Sequence, residues 1–318
     1  MEFRFEMALC AALESPDRIV ARQLGAGVAR PGGRIVDVCL LDPGPGFADR
    51  AAITPRRIPV TAIEAPVGPG SAVPIAEAFD LPPERAHAVA DAAVEAGYFE
   101  RERRDGRPVV RATARYPDDW VGSLTAIENK PDLGTPGDLR AQLRYDVALG
   151  LFDSVVLATA SYVTRAHLNR IPDAVGVWRF DPESGEREVI REPTPLTPDA
   201  SGVEILSEQA ARTDIVPVDP EAKARRRRRI AERAYGKGWR PALPGCTHGG
   251  ATADGRPVCT YFDRVVDPGR DCGEACPAYE PADPPSCDRD RLRAERSAWV
   301  AEPTDGGPRR QAGLSRFG

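Results

Sequence analysis

The chain has 318 residues, 42% of them hydrophobic and 29% charged, with a formal net charge of -5. That length allows one large domain or two to three small ones, and so mild an acidity does not drive the whole molecule onto nucleic acid; any such contact must come from a local basic patch. No run approaches 18 apolar residues, and "MEFRFEMALCAALESPDR" has neither a basic leader nor a long apolar stretch, so no membrane span and no signal peptide are expected and a cytoplasmic location is.

Taken in chain order, residues 2–14 carry Phe3, Phe5, Met7, Leu9, Cys10 and Leu13 and predict a helix. Residues 18–28 predict a strand, and "RIVDVCLL" (34–41) a second whose one polar residue is Asp37. Between 74 and 99 lie two or three short helices broken at Leu81-Pro82-Pro83, and 100–116 alternates around Asp105-Gly106 as a hairpin. Helices followed by a hairpin is the order of a winged helix, so 61–119 is read as an insertion into a larger fold. "LTAIENK" (124–130) predicts a strand. Thr135 is placed as the cap of a helix beginning at Pro136, with Leu139, Leu143, Val147 and Leu151 on its buried face. "SVVLAT" (154–159) reads as a central strand, and 175–193 as a further pair around Ser184-Gly185. Residues 193–218 read as a linker, 219–300 as a basic helix followed by a cysteine-rich module, and 301–318 as a disordered tail.

The chain writes almost every positive charge as Arg; its only lysines are Lys130, Lys223 and Lys237. Glu128 and Lys130 are two apart on a strand and so share a face. A neighbouring strand carrying Asp37 brings a second carboxylate roughly 5 Å away. Two carboxylates and a lysine suit Mg²⁺, which takes hard oxygen ligands and makes its bound water a better nucleophile. A compact ammonium at Lys130 assists that water better than a flat guanidinium.

In order and context, "IVDVCLL" and "AIENK" resemble the PD-(D/E)xK nuclease superfamily, whose core runs helix, strand, strand, strand, helix, strand. The resemblance covers residues 3–60 and 120–190 and implies a restriction-endonuclease-like α/β fold, a mixed sheet flanked by helices. It implies Mg²⁺-dependent hydrolysis of DNA, with Asp37 and Glu128 as metal ligands and Lys130 as the catalytic lysine. It nominates Glu6, from "FEMALCAAL", and Gln142, from "DLRAQLRYD", as supporting residues. The interval between Asp37 and Glu128 is longer than the family's, and Val36 stands where the family often has Pro before its Asp. The whole chain is also similar to an uncharacterised haloarchaeal family.

Five of the seven cysteines fall between 246 and 287. Cys246, Cys259, Cys272 and Cys276, with His248 or Cys287 as alternates, suit a tetrahedral structural Zn²⁺ site. An iron–sulfur cluster, which some nucleases of the superfamily use to staple their chain ends, is the rival. Arg103, Arg104 and Arg107 on the hairpin and Arg225, Arg226 and Arg227 on the basic helix are candidate DNA phosphate contacts. The competing readings are a non-catalytic DNA-binding or regulatory protein that keeps the fold, and an interaction adaptor with a structural zinc module.

Overall fold

A computed structural model describes residues 2–30, 32–53, 58–113, 116–135, 137–209 and 211–301. The elements in chain order are α1 (Glu2–Leu13), β1 (Ile19–Gly25), β2 (Ile35–Pro43), α2 (Phe47–Ile53), α3 (Val60–Glu64), β3 (Val73–Pro74), α4 (Ile75–Ala78), α5 (Pro83–Glu95), β4 (Phe99–Arg104) and β5 (Arg107–Ala112). They continue with β6 (Val121–Asn129), α6 (Leu139–Leu149), β7 (Ser154–Thr159), α7 (Arg165–Leu168), β8 (Gly176–Phe180), β9 (Arg187–Arg191), β10 (Gly202–Gln209), β11 (Arg212–Val218) and α8 (Pro220–Lys237). The chain then forms β12 (Gly249–Ala251), β13 (Pro257–Cys259), β14 (Arg264–Val265), α9 (Pro268–Asp271) and α10 (Arg289–Arg296). It divides into two compact units, one of Met1–Asp42 with Ser123–Ala298 and one of Pro43–Gly122 with Trp299–Gly318.

The first unit is built on a six-stranded mixed sheet in the order β1-β2-β6-β7-β8-β9. β1 and β2 are antiparallel, β6, β7 and β8 run parallel, and β9 returns antiparallel. Two contacts fix the sense of β2 against β6. Ser123 Oγ donates to Asp42 Oδ2 at 2.8 Å, and the Asn129 backbone N–H donates to Asp37 Oδ2 at 3.0 Å. Moving down one strand moves up the other, so the pair is antiparallel. α1 buries Phe5, Leu9 and Cys10 against Val38, Leu40, Ile127, Val156, Ala158 and Phe180, all from one face of the sheet. The ladder explains this selection, because alternate side chains of each strand point the same way.

The second unit holds α2, α3, a sheet in the order β3-β5-β4, and α4 and α5. Asp105 and Gly106 both take positive φ at the tip of the β4–β5 hairpin, the conformation that a two-residue turn between twisted strands requires. The unit begins at Pro43, not residue 61, because α2 belongs with it.

Three local expectations differ from the structure. Residues 202–218 form a hairpin, not linker. Its anchor is Glu204, fully buried, whose carboxylate accepts the backbone N–H groups of Val28 (2.9 Å), Ala29 (2.6 Å) and Arg30 (3.2 Å). α6 starts at Leu139 with Asp138 in the cap position and no side-chain cap. Thr135 instead faces Asp132, whose carboxylate takes the Gly134 N–H at 2.8 Å, and Pro136 lies outside the described residues. Val147 is half-buried, while Tyr145, Asp146 and Leu149 complete the inner face of α6. The expected tail lies outside the described residues from 302 onward. No described helix is long and apolar enough to cross a membrane.

Candidate functional site

Asp37 and Glu128 approach each other because of the β2–β6 register. The pair Asp42–Ser123 lies five residues from each, so Asp37 stands opposite Glu128 with its side chain on the same face. Glu128 is pushed up to about 7, by burial first and then by the charges of Asp37 and Asp146, against the opposing pull of Arg34.

Glu6 reaches the same place from α1. Arg22 Nε donates to its Oε1 at 2.5 Å, and Gln23 Nε2 bridges Glu6 (3.3 Å to both oxygens) and Asp37 Oδ1 (3.2 Å). Gln23 has φ +53 and falls opposite Asp37 in the β1–β2 register, between the paired residues Arg22 and Leu24. A left-handed conformation at a non-glycine residue costs on the order of 1 kcal/mol and persists only where the surroundings impose it. Here Lys237 Nζ holds the Gln23 carbonyl at 2.9 Å while the side chain spans two carboxylates. Burial raises the Glu6 pKa, the Arg22 contact opposes it, and the Asp37 charge adds to it.

Asp146 of α6 is a further carboxylate at the cluster, only 2% exposed. Arg34 meets it with two bonds (Nε to Oδ1, 3.0 Å; Nη2 to Oδ2, 2.7 Å) and shares Nη2 with Glu128 Oε2 at 2.6 Å. Gln142, the residue nominated on α6, is half-buried one turn earlier; Asp146, at i+4 from it, makes the contact. Lys130 follows the last residue of β6; its backbone N–H donates to the Ala158 carbonyl at 2.9 Å, and its ammonium donates to Glu2 Oε1 at 2.8 Å, one helical turn from Glu6 on α1.

The cluster therefore brings the four carboxylates of Glu6, Asp37, Glu128 and Asp146 to two guanidinium groups, Arg22 and Arg34. The four acids outnumber the two guanidinium groups, with the Lys237 ammonium nearby at the Gln23 carbonyl, and desolvation raises Glu6, Glu128 and Asp146. Asn129 Oδ1 is buried beside Glu6 with no donor. Hard oxygens, surplus negative charge and an orphaned oxygen are the chemistry a divalent ion satisfies. As the side chains stand, no three His, Cys, Asp or Glu residues among those described form a ready-made ligand array.

The basic residues divide. Arg103, Arg104 and Arg107 are exposed around the β4–β5 turn. Arg226 and Arg227 are not available as phosphate contacts, since both guanidinium groups bind their own chain: Arg226 Nη2 to Gly25 O (2.9 Å), Arg227 Nη1 to Leu151 O (2.7 Å) and Nη2 to Asp153 Oδ2 (2.8 Å). Their helix face packs inward on β1, as a strongly basic sequence does not advertise. Arg225 pairs with Glu221 one turn earlier at 2.7 Å.

Cys246, Cys259, Cys272 and Cys276 line one small cavity together with His248 and Asp271; Cys287 is not among its walls. The Cys272 thiol is pushed up by burial and then by its neighbours Cys259, Cys246, Asp271 and Cys276. Cys10 is fully buried in the α1 core.

No curated protein and no solved structure matches the chain. One family does, over residues 19–281, an interval that contains Asp37, Glu128, Asp146 and the four cavity cysteines. The chain thus belongs to DUF5787, a family of unknown function.

Proposed function

We propose that this protein hydrolyses phosphodiester bonds in DNA with the help of Mg²⁺, on a restriction-endonuclease-like core. The observation that carries the reading is the carboxylate cluster, in which acids outnumber cations, at the end of an α1-β1-β2-β6-α6-β7 framework. Asp37 and Glu128 would hold the ion, with Glu6 supporting; bound there, it supplies Lewis-acid stabilisation of charge on phosphorus and a more acidic water. Arg34 keeps Asp146 when it releases Glu128, so one guanidinium stays neutralised throughout. Lys130, with its side chain about a quarter exposed at the rim, has to leave Glu2 to reach a scissile phosphate. The order α3-β3-α4-α5-β4-β5, with sheet order β3-β5-β4, supports reading the second unit as a winged helix whose Arg103, Arg104 and Arg107 neutralise backbone phosphates.

A second reading is favoured by one observation: Arg34 already serves as the cation of Glu128 and Asp146. On that reading the protein binds DNA through the same fold without cutting it. Incubation of the full chain with single-stranded, nicked and duplex DNA, with and without Mg²⁺, separates the two. Cleavage that needs Mg²⁺ and is lost in Asp37→Asn and Lys130→Ala, with DNA binding retained, supports the nuclease. Binding without cleavage of any of the three substrates replaces it with the second reading.

A further inference from the structure

We infer that Cys246, Cys259, Cys272 and Cys276 form a structural Zn²⁺ site that holds the C-terminal module together. The module needs such a centre. Between residues 241 and 288 it has strands of two or three residues and one four-residue helix. Apart from Pro244 and Pro257, Cys246 and Val266 are its only buried apolar side chains. So little apolar burial does not offset the entropy of ordering some fifty residues, and small domains in this position use metals or disulfides. All four cysteines are free thiols in the structure.

The backbone is built to converge these thiols. Cys246 opens a tight turn closed by the Gly249 N–H on its carbonyl at 2.8 Å, and Gly249 is the register partner of Cys259. The first pair is thus fixed by one turn and one ladder rung. Asp267 caps α9 through the Gly269 N–H at 3.1 Å, and α9 delivers Cys272. Gly273 takes φ +144, open only to glycine, and the chain folds back so that the Cys276 N–H meets the Gly273 carbonyl at 2.9 Å.

Between the pairs lies a cavity of about 20 Å³. It has room for one water-sized body, which suits a single ion. Thiolates select soft or borderline metals, and four of them suit tetrahedral Zn²⁺. The four thiols do not stand as a ready-made ligand array, so metal binding requires their side chains to turn toward the shared cavity. Binding releases the thiol protons to solvent, so occupancy falls in acid.

The full chain, purified without chelators, should carry about one Zn²⁺ per molecule by elemental analysis. Cys272→Ser and Cys276→Ser should lower this to background, and Cys287→Ser and Cys10→Ser should leave it unchanged. Should the first two variants fail to fold, Co²⁺ exchanged into the wild-type chain should give the thiolate charge-transfer and d–d bands of a tetrahedral site. Each of the following overturns the assignment: no zinc in the wild type with no Co²⁺ bands, loss of zinc only in Cys287→Ser, iron–sulfur absorption, or a disulfide among the four. None of these outcomes depends on whether DNA is cut.

Discussion

Glu128 is where burial and charge conflict most openly. Its carboxyl is raised from 4.5 to about 7. A raised acid contributes stability that is complete below the unfolded value and is lost as pH climbs through the folded one. For Glu128 that window is pH 4.5 to about 7. Glu128→Gln keeps a neutral group of similar shape at all pH. It should therefore gain on the wild type across the window, by on the order of 2 kcal/mol, when denaturant midpoints are compared at its two ends. A difference that shrinks with rising pH would show that Arg34, not desolvation, governs the group. The lysines tell a related story. Lys223 is buried with Nζ on the carbonyls of Thr197 (3.1 Å) and Ala200 (2.8 Å), and Lys237 holds the Gln23 carbonyl. A slim ammonium reaches single carbonyls in confined places where a guanidinium fork does not fit. Asp37 and Glu128 were legible in the sequence because a charge inside an apolar strand needs a partner. Asp146 was not, since an acid within a charged helix looks solvated, and Gln23 and Arg34 gain their roles only when distant segments close on them.

Between elements, a buried polar tie runs from the end of α1 to the segment after α8. The Glu14 side chain, 1% exposed, takes two bonds from Arg240 (2.8 and 2.7 Å), one from Trp239 Nε1 (3.0 Å) and one from Arg296 Nε (3.0 Å). Removing one member of a buried pair strands the other's charge. Glu14→Ala should cost about 3–5 kcal/mol in equilibrium unfolding. A loss under about 1 kcal/mol would mean that water replaces the carboxylate around Arg240. The β10–β11 hairpin shows the opposite kind of dependence. Its strands were hidden by Pro, Asp and Ser, and what orders them is non-local: Glu204 on the 28–30 backbone, and a Gly202 so close to α6 that a Cβ would lie 2.0 Å from the Leu149 carbonyl oxygen. α1 and the hydrophobic strands needed no such help, because their periodicity states the buried face directly.

At the scale of the molecule, the chain interrupts one sheet to make a second compact unit. The interruption leaves from Asp42 and returns at Ser123, whose side chains touch at 2.8 Å across β2 and β6. Ends already joined need only a short connection, and loop closure grows slowly with length. Replacing residues 44–121 with a short Gly/Ser turn should leave the first unit folded and cooperatively unfolding, as circular dichroism and a denaturation curve would read. A molten product would show that the two units fold only together. The sequence by itself determined most of the alternation of helices and strands, the break in the core between Asp37 and Glu128, and the grouping of five cysteines late in the chain, because periodicity, turn residues and Cys spacing are local properties. Tertiary structure decided which charges meet. Strand register set Asp37 against Glu128, Glu2 of α1 became the partner of Lys130, packing of α8 consumed Arg226 and Arg227, and Arg34 came to rest between two buried acids. Coulomb energy depends on distance in space, and no local pattern encodes it.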